Sequence, residues 1–192
     1  MKFFYVPLLV LVFYLVACKS ATESTNHEHT VEATTEPPAD TVKKSIPKEE
    51  HAVIGGTHFT IRYHAPAVRG RAIWGGLVPY DDVWVTGAHS ATTLEFDHAI
   101  TVDGKKVPAG KYAFFTIPGR EKWILILNKN WEQHLADEYD AKDDVLRVEV
   151  VPEIYPATQE RLVYRLTDTG GASATMSVRW EKVKIDLFIQ LN

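Results

Sequence analysis

Residues 100–127, ITVDGKKVPAGKYAFFTIPGREKWILIL, decide the fold class of this chain. Asp103-Gly104 separates two short β-prone runs, and both central positions of a two-residue hairpin turn want the positive φ that Asp and Gly tolerate. Pro108-Ala109-Gly110 and Pro118-Gly119 then bracket residues 111–117, and a continuous apolar run follows over 123–127. Turn chemistry at this spacing predicts consecutive antiparallel strands.

The pattern extends both ways from that stretch. Upstream, Phe59, Ile61 and Tyr63 alternate with polar Thr60 and Arg62, as in a strand with one buried face. Downstream, residues 144–151, 161–167 and 172–180 continue towards a last strand ending near Ile189. Met176, Val178 and Trp180 occupy even positions, whereas Val183, Ile185, Leu187 and Ile189 occupy odd ones. A bulge or a switch between sheets therefore belongs at Glu181-Lys182. One segment departs from the pattern. Asn130 suits an N-cap, and Trp131, Leu135 and Tyr139 recur every four residues, which predicts a short helix near 131–139 with His134 beside its stripe, one turn from Glu138. The expected fold is all-β, an antiparallel β-sandwich with that one helix.

The ends of the chain read differently. Lys2, the apolar residues 3–16 and Leu15-Val16-Ala17-Cys18 have the form of a bacterial lipoprotein signal peptide over 1–17. Cys18 is then the lipidated first residue of a membrane-anchored protein in the cell envelope, facing periplasm or exterior. Residues 18–51 are rich in Thr, Glu, Ser, Ala, Pro and Lys and have almost nothing to bury, so a disordered tether is expected there. The sandwich domain is expected over 52–192. Cys18 is the only cysteine, which leaves no thiol for a disulfide, a thiolate metal site or a cysteine nucleophile. A formal net charge of -4 with interspersed acids and bases argues against nucleic acid as a partner.

Candidate chemistry concentrates in residues 62–96, RYHAPAVRGRAIWGGLVPYDDVWVTGAHSATTLEF, where glycines, prolines, tryptophans and histidines crowd between short β-like runs. Tightly specified loops on a β framework are where sites are usually built. Tyr63-His64-Ala65-Pro66 with Gly70-Arg71, the run WGGLVPY at 74–80, WVTGA at 84–88, Ala109-Gly110-Lys111-Tyr112, Asn128-Lys129 and Asp144-Val145-Leu146-Arg147 resemble an uncharacterised bacterial family, domain of unknown function 2911. The resemblance covers roughly residues 53–190. It implies a β-rich extracytoplasmic domain and no established activity.

Departures from the family's usual pattern are informative. The pattern has Ser-Arg where this chain has His64-Ala65, Arg where it has Val85, Asn where it has His89, and Trp-Gly where it has Gln133-His134. Three histidines replace other residues, and two cations are absent. Neutral imidazoles offer a nitrogen lone pair, so His64, His89 and His134, if convergent, suit zinc or copper. A nearby guanidinium would repel that cation. Three protein ligands leave a position for water or substrate, whereas a fourth such as Asp137 or Glu138 would close the site or orient a ligand from behind.

Other chemistries lack their signatures. No Gly-rich phosphate loop or Gly-x-Ser-x-Gly elbow is present, and Ser90 beside His89 has no placed base. The expected function is a transition-metal site in a lipid-anchored envelope protein, acting as carrier or metalloenzyme. The alternative is a non-enzymatic envelope module that contacts glycan or a protein partner, with incidental histidines. Of the five tryptophans, most are expected in the core.

Overall fold

Central strands that are apolar on both faces dictate the architecture. A computed structural model describes residues 45–191. The signal peptide, Cys18 and the tether as far as residue 44 lie outside the described residues. Ten strands form: β1 (Ser45–Ile54), β2 (Thr57–Pro66), β3 (Thr93–Phe96), β4 (Ile100–Val102), β5 (Lys105–Val107), β6 (Gly110–Ile117), β7 (Trp123–Asn128), β8 (Asp144–Val150), β9 (Glu153–Gly170) and β10 (Ser173–Leu191). They build an antiparallel six-stranded sheet in the order β1-β2-β3-β6-β7-β8 and a four-stranded sheet in the order β5-β4-β10-β9.

Inner faces of both sheets supply one core. Phe59, Ile61, Leu94, Phe114, Leu125 and Leu127 come from the first, and Tyr164, Met176, Trp180, Ile185 and Leu187 from the second. The expected hairpin forms with Asp103 at φ 48° and Gly104 at φ 72°, but it belongs to the second sheet, so the chain leaves β3, makes β4 and β5, and returns as β6 beside β3. The phase change at Glu181 is also present. Register shifts flank that residue, which sits at φ 53°, and β10 continues in the same sheet beyond the bulge.

Two expectations change. Residues 45–51 belong to β1 rather than to a tether, and they hide their strand character because β1 is an edge. Pro47, Lys48, Glu49 and Glu50 protect such an edge from further pairing, and that composition resembles a linker. β1 is fixed laterally by Glu50, which pairs with Arg165 at 3.2 Å and accepts from the Leu166 N–H at 3.4 Å.

Residues 131–139 form turns, not a helix. Leu135 has φ 50°, which a right-handed helix does not allow. Side chains instead bind the backbone that a helix would need. The fully buried Asn128 amide donates to the Asp140 carbonyl at 3.0 Å, its oxygen accepts from the Asn130 N–H at 2.8 Å, and Gln133 Nε2 donates to the Asn130 carbonyl at 2.6 Å. A 3-10 turn, Ala141–Asp143, is the one helical element among the described residues. None of their helices is long and apolar enough to cross a membrane.

The connection from β2 to β3 covers the sheet by a different route. Gly76 is required where the 70–80 turn folds onto itself, since a Cβ there would lie 2.5 Å from the Ala72 carbonyl oxygen. Trp74 and Trp84 then pack with Trp123 and Trp180 through ring contacts of 4.8–5.9 Å. Trp123 and Trp180 are buried and Trp74 and Trp84 half-buried, while Trp131 lies on the outer side. Further along, Thr86, Thr92 and Thr116 have no exposure and bond in sequence, and Tyr164 of β9 donates its hydroxyl to the Thr86 carbonyl at 2.6 Å. That bond ties the covering loop to the opposite sheet. Tyr164→Phe is expected to lower stability by about 1 kcal/mol in urea unfolding, the ordinary net worth of one hydrogen bond, because Thr92 Oγ1 still partners the Thr86 carbonyl.

Candidate functional site

β6 and β7 bury residues on their outer face as well as their inner one. Ala113, Phe115 and Ile126 form a second cluster with Val85 and Ala91, closed over by Trp131, Ala136 and Tyr139. Loop 131–139 therefore lies on the outside of the six-stranded sheet, while residues 83–91 run beside β6, where Trp84 and Thr116 exchange backbone hydrogen bonds of 2.7 and 3.0 Å, and contribute Val85 and Ala91 to the outer cluster. The outer face of β1, β2 and β3 remains open. It carries Glu49, Arg62, Glu95 and His64, with Arg62 held 2.9 Å from Glu49 and 3.3 Å from Glu95. A site can form where the open half meets the covered half.

His64 stands on the outer face of β2, opposite Pro47 of β1. Gly87 lets the covering loop come down beside it, since a Cβ there would meet Thr92 Oγ1 at 2.7 Å and the His64 carbonyl oxygen at 3.2 Å. The loop then turns through His89 at φ 63°, a left-handed conformation that, after glycine, asparagine, aspartate and histidine adopt most readily. The two imidazoles meet edge to face, with ring centres 5.1 Å apart and planes at 79°. Burial, and secondly the neighbouring His89, push the His64 pKa below its ordinary value of 6.5.

His134 arrives from the other loop. Residues 89–91 and 133–135 make a short antiparallel ladder in which Ser90 faces His134, the Ala91 N–H donates to Gln133 at 3.0 Å, and the Leu135 N–H donates to His89 at 2.6 Å. Neighbours along such a ladder project to opposite sides. Ser90 and His134 line an open groove of about 790 Å³ together with His64, Arg62, Lys111 and Trp131. His89 and Leu135 line a different pocket, of about 580 Å³. The structure thus joins His64 to His89 by direct contact and His64 to His134 through a shared groove, without bringing the three rings to one centre. Among the described residues no group of three or more His, Cys, Asp or Glu side chains is arranged to hold a metal ion.

The two carboxylates divide in the same way. Asp137 Oδ2 lies 3.0 Å from His134 Nδ1, a contact that leaves Nε2 free, and Asp137 lines the pocket beside His89. Glu138 lines the groove with His64 and His134, and its backbone N–H donates to Gln133 Oε1 at 3.3 Å. In the groove wall, Lys111 Nζ sits 3.5 Å above the Trp131 ring centre. Lys111 belongs to the 109–112 run and Trp131 to the four-residue spacing at 131–139, but neither pattern points to a groove, which depends on a loop contact that periodicity does not reveal.

A family model described as "Protein of unknown function (DUF2911)" matches residues 45–189, which is most of the chain. The chain belongs to the DUF2911 family. The match begins at Ser45, the first described residue of β1. No curated protein and no solved structure matches the chain. The family carries no assigned activity, so chemistry must be argued from the site.

The imidazole pair makes a direct prediction. In an NMR titration His64 is expected to have its midpoint below 6.5, and His89→Asn to move it part of the way back, because burial, the larger cause, remains. The sign for stability follows from the depressed pKa. This group's contribution is intact above pH 6.5 and is lost as pH falls from 6.5 through the folded-state value.

Proposed function

We propose that this domain binds a transition metal, zinc or copper, at the His64–His89 pair, with His134 as third ligand, as an envelope carrier or metalloenzyme. The observation that carries this proposal is the ring geometry. Two imidazoles on one tetrahedral cation, each bonded at about 2.0 Å, have ring centres roughly 5 Å apart. The observed separation is 5.1 Å. A lowered His64 pKa keeps its lone pair available at neutral pH.

Recruitment of His134 requires its side chain, which is 65% exposed, to leave Asp137 and swing round the end of the short ladder. Asp137 or Glu138 would then orient the ligand or close the fourth position. A mobile third ligand suits a carrier, which must release its ion. An open position equally suits activation of water. The alternative, an envelope module for glycan or a protein partner, draws on the size of the groove and on Trp131 in its wall.

Elemental analysis of the purified full-length protein separates these proposals. Near-stoichiometric zinc or copper is expected, with His64→Ala and His89→Asn each weakening retention by more than about tenfold, beyond the loss typical of an outer-shell partner. Asparagine tolerates the backbone at position 89, so that variant removes the imidazole without adding strain. A metal-free parent that also ignores added zinc and copper would sink the metal proposal and leave the binding module. Retention is expected to fall as pH drops through the imidazole range.

We also propose that Cys18 carries the lipid anchor that holds the domain to a membrane outside the cytoplasm. Its support is the signal sequence alone. Palmitate labelling and recovery in the membrane fraction are expected for the parent. Labelling of Cys18→Ser at the parental level would refute the assignment.

A further inference from the structure

The pocket behind His89 has properties that the metal proposal does not use. Its volume of about 580 Å³ falls within the range of small-molecule sites. Trp84 and Trp180 line it, stacked with ring centres 5.7 Å apart and planes at 20°. Its rim exposes two large apolar side chains, Leu77 at 47% and Leu135 at 38%.

Leu135 is the informative residue. It holds φ 50°, where a side chain is strained and glycine or asparagine is the ordinary choice, and it also leaves apolar surface in water. A ligand in the pocket would cover that apolar surface together with the neighbouring Leu77. Charge at the pocket points to what that occupant is. Arg71 donates Nε to the Val68 carbonyl at 3.1 Å and Nη2 to the Ala67 carbonyl. Neutral carbonyls bring no counter-charge, so the solvent-exposed guanidinium keeps its positive charge at the pocket, and no carboxylate among the described residues lies within ion-pair distance of it. The other charged residue of the lining, Asp137, already faces His134.

We propose that this pocket binds a small amphipathic anion, with an aromatic or alicyclic body against Trp84, Leu77 and Leu135 and a carboxylate or similar oxyanion towards Arg71. Arginine suits that head group because its planar guanidinium keeps further N–H donors free. No metal is needed, although His89 forms part of the wall.

Calorimetric titration of 1-naphthoate into the full-length protein in lipid nanodiscs, with chelator present and empty discs as blank, tests the assignment independently of any metal. Saturable binding at one site is expected. Leu77→Ser and Leu135→Gly should each weaken it about tenfold through lost apolar contact. Leu135→Gly relieves the backbone, so its thermal midpoint should be unchanged or higher, which separates lost binding from lost folding. Uncharged 1-naphthylmethanol should bind more weakly than the anion. Absence of saturable heat above the blank, or parental affinity in both leucine variants, overturns the pocket. Equal binding of the alcohol overturns the anionic class.

Discussion

The site depends on burying both faces of β6 and β7. Phe114, Leu125 and Leu127 face the second sheet, while Ala113, Phe115 and Ile126 face outwards and are equally inaccessible to water. Full burial of an aliphatic or aromatic side chain is worth about 1.5–3 kcal/mol, so an uncovered outer cluster would forfeit several times that amount. Loops 83–91 and 131–139 provide the cover. Where they meet, His134 lines the open groove and His89 and Leu135 line the second pocket.

Covering a sheet with irregular chain has its own cost, since every buried peptide group in the loop needs a partner. Side chains meet most of that need. Asn128 bonds to the 130 and 140 peptides, Gln133 links 130 to 138, and Thr86, Thr92 and Tyr164 secure the first loop. Such anchors are rigid enough to hold three non-glycine residues, Thr86, His89 and Leu135, at φ values of 50–63°. Strain persists only where surrounding structure over-determines it. At Thr86 the buried network accounts for it. At His89 and Leu135 the short ladder does so, since the Leu135 N–H donates to the His89 carbonyl at 2.6 Å and the Ala91 N–H to the Gln133 carbonyl at 3.0 Å.

The sandwich was legible because strand signals are local. Asp103-Gly104, the alternation at 57–63 and the phase change at Glu181 each act through neighbours along the chain or across one turn. The 123–127 run was legible too, and its unbroken hydrophobicity reflects burial on two faces. The edge strand β1 was missed because its charged outward residues are what keeps an edge from pairing further. The four-residue spacing of large side chains at 131–139 imitates a helical stripe because it arises from two separate contacts. Trp131 and Tyr139 cover the outer cluster, whereas Leu135 stands at the rim of the pocket. Periodicity cannot distinguish a helical stripe from that coincidence, and the competing side-chain hydrogen bonds of Asn128 and Gln133 decide it.

The placement of His134 turns on a parity that the sequence does not display. In the ladder of residues 89–91 with 133–135, Ser90 faces His134 and His89 faces Leu135, so the two histidines stand on adjacent rungs and line different pockets. A shift of one residue would have put His89 and His134 side by side. That register is fixed by Gln133, whose side chain holds the 130 carbonyl and the 138 N–H while its own carbonyl accepts from Ala91. His64, rooted in β2, is the only one of the three whose position does not depend on this ladder. The metal proposal therefore rests on a fixed ring and its edge-to-face neighbour, and the third ligand is a question of side-chain motion between adjacent rungs rather than of fold.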